Sequence, residues 1–202
     1  MKTLAKTLFA TALTAVLFAS SVATTFAADS APLAKTSSVK NVNRIWVSGN
    51  VKVVLTQGDQ ESIKGSENYD ATKTSVFSNG HTLYIQSMES QQVTVNITVK
   101  DLERVEAYGQ SMVVTSNNFA VKNLQLFLYQ SATAKIKTTA ASLYTVVKED
   151  AVLKLNGTAV ESTMIASNMK NVKLADFASR KSESFITDDL MTADQTAMTL
   201  AK

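Results

Sequence analysis

Three consecutive stretches of nineteen residues, "LQLFLYQSATAKIKTTAAS" from Leu124, "LYTVVKEDAVLKLNGTAVE" from Leu143 and "STMIASNMKNVKLADFASR" from Ser162, repeat one pattern of apolar and polar positions while sharing few residues. A fourth, "KSESFITDDLMTADQTAMT", starts at Lys181. On this period the columns agree better than the rows. One holds Ala140, Ala159, Ala178 and Ala197; a second Ile136, Leu155, Leu174 and Ala193. Two residues before the second come Ala134, Leu153, Val172 and Met191, and a fourth column holds Leu128, Val147, Ala166 and Phe185. Period-two alternation inside a fixed longer period predicts an all-β chain wound in coils, a parallel β-helix with about nineteen residues per coil. Neighbouring coils then sit ~4.8 Å apart, so each side chain lies over its counterpart one period away. An inward position must stay apolar, while its size varies if a neighbour compensates.

Upstream of the repeat the texture is strand and turn. Runs such as "VNRIWVSGNVKVVLTQGD", "TLYIQS" and "QVTVNITVKDL" alternate polar with apolar residues and break at Ser48-Gly49-Asn50, Gln57-Gly58-Asp59 and Asn79-Gly80. The segment Leu102 to Asn123 fits one more coil with three residues in excess, which sets Tyr108-Gly109-Gln110 against Tyr129-Gln130-Ser131. The last turn is more polar, as expected of a cap over an otherwise open sheet edge.

The chain opens "MKTLAKTLFATALTAVLFASSVATTFA", with Lys2 and Lys6 ahead of an apolar run and with Thr25 and Ala27 at leader-peptidase spacing. Residues 1–27 read as a secretory signal peptide, 28–41 around Pro32 as a flexible linker, and 42–202 as a single domain. No apolar run reaches the about 20 residues of a membrane span. Export places the chain in the periplasm, at the cell surface or outside the cell. Without the leader's two lysines the net charge of +3 falls to +1, which gives no electrostatic support to a nucleic-acid partner. With no cysteine there is neither a disulfide framework nor a thiolate metal site.

"IWVSGNVKVVLTQGDQESIKGS", "LYIQS", "LERVEAYGQSMVVT" and the degenerate turns after them together resemble a bacterial exported family, the putative auto-transporter adhesins with a head GIN domain. Val47, Gly49, Val53, Leu55 and Gly58 match its opening motif, and "YGQSMVVT" near Gly109 matches its recurring coil. Later coils carry Gln130, Glu149 and Asn168 where that family usually has glycine. The resemblance implies an exported β-helical domain with an adhesin-like role.

No catalytic constellation emerges. His81, the only histidine, follows Asn79-Gly80 and reads as an exposed turn residue. Glu149 and Asp150, being adjacent on a strand, point to opposite faces. Asp150 and Asp188 share a column two coils apart, about 9 to 10 Å, near the upper spacing for an inverting glycosidase. Met169 between them and the lack of a third polar partner count against that use. No acidic cluster suits calcium, so neither metal nor cofactor is expected.

Two outward columns remain as ligand-binding candidates. Lys135, Lys154 and Lys173 each sit between inward apolar residues, forming either a solvated face that discourages sheet pairing or a basic strip for an anionic glycan. Tyr108 and Tyr129, with Lys148 next in line, form either simple cross-strand stacking or a platform for sugar rings. The sequence thus points to a non-enzymatic cell-envelope interaction module. A polysaccharide-acting β-helix enzyme and a purely structural envelope protein are the alternatives.

Overall fold

The computed structural model describes residues 41–65 and 70–187. The signal peptide over 1–27, the linker over 28–41 apart from Asn41, and the terminal turn with Asp188, Met191, Ala193 and Ala197 lie outside the described residues. The protein is all-β. Its strands are β1 (Arg44–Gly49), β2 (Val51–Gln57), β3 (Ser62–Gly65), β4 (Thr74–Asn79), β5 (Thr82–Ser87), β6 (Val93–Val99), β7 (Arg104–Tyr108), β8 (Met112–Thr115), β9 (Phe119–Leu128), β10 (Thr133–Val147), β11 (Val152–Ala166) and β12 (Val172–Ile186). One 3-10 turn, Met169–Asn171, precedes β12.

The strands form one curled sheet, and β10 shows why it must curl. Along one edge β10 pairs with β8 through Thr133–Lys135 and with β9 from Thr138 to Val147; along the other it pairs with β11. Two arms therefore leave the same strand, one running β8-β2-β6-β3 and the other β9-β7-β1-β5-β4. Their inner faces close on a single core. Val53, Leu55, Val95, Ile97 and Val113 come from one arm, and Ile45, Val47, Leu83, Ile85, Val105 and Leu126 from the other. Alternation along each strand sends these residues inward and their neighbours outward.

The pairing register explains the repeat. Between Phe119 and Ala166 the parallel partners are nineteen residues apart, from Phe119 opposite Thr138 to Val147 opposite Ala166. Ala134, Leu153 and Val172 stand in one column, as do Lys135, Lys154 and Lys173. Two expectations are corrected. First, a bulge in β12 opposite Leu155 inserts one residue, so that Ala159 faces Ser179, Ala178 faces Thr158, and Phe185 faces Ile165. Ala178 and Phe185 thus leave the inward columns, and Ile186 faces Ala166 instead. Such an insertion bends the strand and shifts everything beyond it by one position. Second, the preceding coil exceeds the period by two residues rather than three: Arg104 faces Gln125, and Met112 faces Thr133. The excess ends at Asn118, where the Asn117 side chain both donates to and accepts from the Gln57 backbone at 2.9 Å. Upstream of the repeat, chain order is not stacking order, because β1 and β2 lie between β5–β6 and β7–β8. At that end β3 and β4 run antiparallel to β6 and β5, and Gly80-His81 form the expected two-residue turn.

Where the arms meet, three successive turns each have one residue in the left-handed region: Gly109 at φ +67°, Gln130 at +59° and Glu149 at +58°. Only glycine adopts this conformation freely. Backbone bonds Ala132 N–H to Tyr129 O (3.2 Å) and Ala151 N–H to Lys148 O (3.2 Å) close successive turns, and so hold Gln130 and Glu149 there. A second tight point is Gly157, φ +107°, where an added Cβ would stand 2.0 Å from the Thr138 carbonyl oxygen.

These positions make opposite predictions. Gly157→Ala should lower stability by about 3 kcal/mol or more, since backbone strain and overpacking add. Glu149→Gly should raise it by about 0.5 to 1 kcal/mol, the relief of left-handed strain exceeding the entropy cost of glycine. Denaturant midpoints of both variants check the two signs.

Candidate functional site

Among the described residues the longest chain of aromatic contacts lies on the outward face of the arm β4-β5-β1-β7-β9. Phe77 faces Tyr84 across an antiparallel pair, and Tyr84 faces Trp46 across a parallel one. Ring centroids are 5.0 Å apart for Phe77–Tyr84, 5.9 Å for Tyr84–Trp46, 5.5 Å for Trp46–Tyr108 and 4.9 Å for Tyr108–Tyr129. Five rings are thus in unbroken contact. The spacing follows from the strands, which set outward neighbours ~4.8 Å apart. Tyr108 with Tyr129 and Phe77 with Tyr84 are nearly parallel, at 9° and 11°. At such distances parallel rings overlap face to face with an offset instead of lying side by side. Each of these rings therefore gives one face to its neighbour, and a flat tyrosine platform is not what the pair presents. Trp46 is tilted by 43° against Tyr84 and by 35° against Tyr108, and with Tyr84 it borders a recess.

Beside Trp46 is a recess of about 320 Å³ lined by Arg44, Ile45, Trp46, Thr82, Tyr84, Arg104 and Glu106. Its polar groups are held in place. Arg104 donates from Nε to Gln125 Oε1 at 2.8 Å and from Nη1 to Glu106 Oε1 at 3.3 Å, and its guanidinium lies 5.2 Å from the Phe127 ring centre. Tyr108 donates its hydroxyl to Glu106 Oε2 at 3.3 Å. Arg44 meets Glu103 at 3.8 Å, a half-exposed pair worth little to stability. The arrangement offers guanidinium donors, a carboxylate acceptor, a hydroxyl and aromatic walls within one depression.

The apolar character extends past the rings. In register across eight strands stand Phe77, Tyr84, Trp46, Glu106, Phe127, Val146, Ile165 and Phe185, and Glu106 is the one charged member. Val146 in this row is buried, and Phe77 and Phe185 at its two ends are its exposed apolar members, at 38% and 37%.

Of the residues singled out from the sequence, Tyr108 and Tyr129 are brought into contact, and Lys148 follows Tyr129 in the same column through its N–H bond to Leu128 O at 2.9 Å. Lys135, Lys154 and Lys173 form a true column, but on β10, β11 and β12 on the far side of the turns, away from the arm that carries the rings. Lys135 and Lys154 border a second depression of about 260 Å³ with Lys137 and Asn156. Trp46, Tyr84, Phe77, Arg44, Arg104 and Glu106 were missed as a group because stacking order differs from chain order. One signal was available: Val146-Val147 and Ile165-Ala166 break strict alternation and so mark an apolar outer face.

With this geometry, the known proteins can be compared. The family described as "Putative auto-transporter adhesin, head GIN domain" matches residues 41–187. The chain belongs to that family. A crystal structure of a "putative adhesin" from Bacteroides fragilis is similar at a TM-score of 0.66 and 18% identity, covering 74% of this chain and 73% of that one. A "putative adhesin" from Parabacteroides distasonis gives 0.55 at 15% identity, covering 74% and 76%. A "putative lipid binding protein" from the same species gives 0.50 at 14%, covering 75% and 77%. At these identities the likeness is one of fold. No curated protein matches the chain. Among the described residues no helix is long and apolar enough to cross a membrane, which leaves β-barrel spans unaddressed.

Burial raises the pKa of both Tyr108 and Tyr129 above the ordinary 10.0, and the Glu106 charge adds to the rise. The folded state thus favours the neutral phenols, a contribution present below the unfolded pKa and lost as pH rises through the folded one. An ultraviolet absorbance titration should show two tyrosines ionising late, and Glu106→Gln should move both back toward the ordinary value.

Proposed function

We propose that this GIN-domain chain is an exported, non-enzymatic interaction module of the bacterial cell envelope that binds carbohydrate at the recess beside Trp46. The observation that carries this reading is the contact chain of five rings, tilted at Trp46 and set beside Arg44, Arg104 and Glu106 on one outward face. A pyranose ring has an apolar C–H face and a rim of hydroxyls. The first suits the recess walls of Trp46 and Tyr84, and the second suits the donors and acceptor around them. The family's adhesin description supports a binding role over catalysis. Export rests on the leader over residues 1–27. The nineteen-residue register and the two facing arms support taking the coils as a parallel β-helix, whose regular stacking sets outward side chains in columns.

The lysine column Lys135, Lys154 and Lys173 is the second contact in this reading, suited to anionic groups on the same polymer. It is separated from Trp46 by the turns, so the two contacts can be tested independently. On a glycan array, Trp46→Ala should weaken binding of neutral glycans at least about tenfold, or 1.4 kcal/mol, with little dependence on salt. Replacing the three lysines with serine should weaken only anionic glycans. That loss should fade in the parent as salt is raised, since at 0.15 M charges are screened over about 8 Å. If both variants bind as the parent does, a structural envelope protein becomes the better reading.

A further inference from the structure

Strand β12 is fifteen residues long and, among the described residues, is paired on one side only, with β11. Among the described residues nothing covers the end of the core beyond it. Leu153 is fully buried, whereas Val172 opposite it is only partly so, and Leu174 and Phe177 are likewise half-buried at the end of the stack. Phe185 and Ile186 are 37% and 40% exposed, while Ala166 beside Ile186 is 0% exposed. A long unpaired edge next to apolar surface is a template for adding another strand.

The charges on β12 specify which strand. Lys173 and Glu183 lie five residues to either side of Ala178, and Asp176 and Arg180 lie two residues to either side. Within each of these two pairs the signs are opposite. If a second β12 is laid antiparallel on the first with the two Ala178 residues opposite each other, Lys173 faces Glu183 of the other copy and Asp176 faces its Arg180. Two-fold symmetry then makes each contact twice. Directly opposed residues share a face in an antiparallel pair, so all four pairs meet on the outward side. Sliding the strands by one position in either direction destroys both pairs, leaving at most Asp176 against Lys181. Within one chain Glu183 contacts Lys181 at 3.3 Å, an exposed pair free to exchange partners.

The path of the strand also fits. Pairing of β12 with β11 is interrupted after Lys173 and again at Arg180, so a short segment, Asp176–Ser179, lies between two arms. Ala178 is in that segment, and a two-fold axis through it carries one arm onto the other. A head-to-tail arrangement fits worse, since the opposite end of the stack presents β3 and β4, of four and six residues. Both are too short to cover fifteen.

We infer that β12 is a self-recognition edge, pairing antiparallel with β12 of a second copy about Ala178 to give a symmetric, end-to-end dimer. Such an isologous contact closes on itself and so prevents edge-to-edge growth into fibres. It also places two outward faces on one particle, which raises the avidity of any weak surface contact without adding a contact.

Sedimentation equilibrium of the full chain should give a dimer. The variant D176K/E183K, whose β12 charges at the four positions are all positive, and the variant K173E/R180E, all negative, should each dissociate at least tenfold more readily. Mixed one to one, they should recover the parent's dimer affinity as a heterodimer, a recovery that misfolding could not produce. The quadruple reversal K173E/D176K/R180E/E183K should dimerise like the parent. A monomeric parent overturns the proposal. If amide exchange then shows β12 fully protected, residues 188–202 of the same chain are its cover. Failure of the mixture to form heterodimer also overturns it.

Discussion

Parallel backbone pairing is the constraint on which most of this sheet depends, between counterparts nineteen positions apart from Phe119 to Ala166 and at other separations upstream. Those hydrogen bonds set neighbouring strands ~4.8 Å apart, and alternation then decides which side chains face the core. Exchange among Ala, Val, Leu and Ile in the inner columns is tolerated where the total volume of the packed side chains is kept. The outer columns have no such packing requirement. What stands there was left open to serve solubility or contact.

The turns show what the register costs. At Gln130 and Glu149 the backbone is held left-handed although neither residue favours it, because each turn must close over the one before. Gly109 meets the same demand without strain. At Asn168 the demand disappears: its φ is −145°, and a 3-10 turn leads into β12. The last described coil is thus the one that departs from the pattern. It carries the bulge, shifts its register by one residue and puts Phe185 outside.

The recess beside Trp46 depends on the same geometry. Arg44, Thr82 and Arg104 are side by side because β1 is inserted between β5 and β7, although 38 and 60 positions separate Arg44 from the other two in the chain. The Arg104–Glu106–Tyr108 network then fixes polar groups whose charges would otherwise be free to move. The turns separate this aromatic face, with its paired charges, from the lysine column on β10, β11 and β12, so one small domain has two chemically different surfaces.

The all-β class, the nineteen-residue register from Phe119 to Ala166, the lysine column and the Tyr108–Tyr129 pair were legible in the sequence. Each rests on alternation and on a period between coils that are consecutive in the chain, and consecutive coils leave their spacing in the residue numbers. The insertion of β1–β2 leaves no such trace, because its partners lie at unequal separations in both directions. The assembly of Phe77, Tyr84, Trp46, Arg44 and Arg104 was therefore decided by tertiary pairing alone. The bulge in β12 was hidden for a related reason. Alanine and serine fit either register in Ala178-Ser179, so only the hydrogen bonds to β11 determine which of them faces Ala159 and, seven residues on, whether Phe185 or Ile186 stands opposite Ala166.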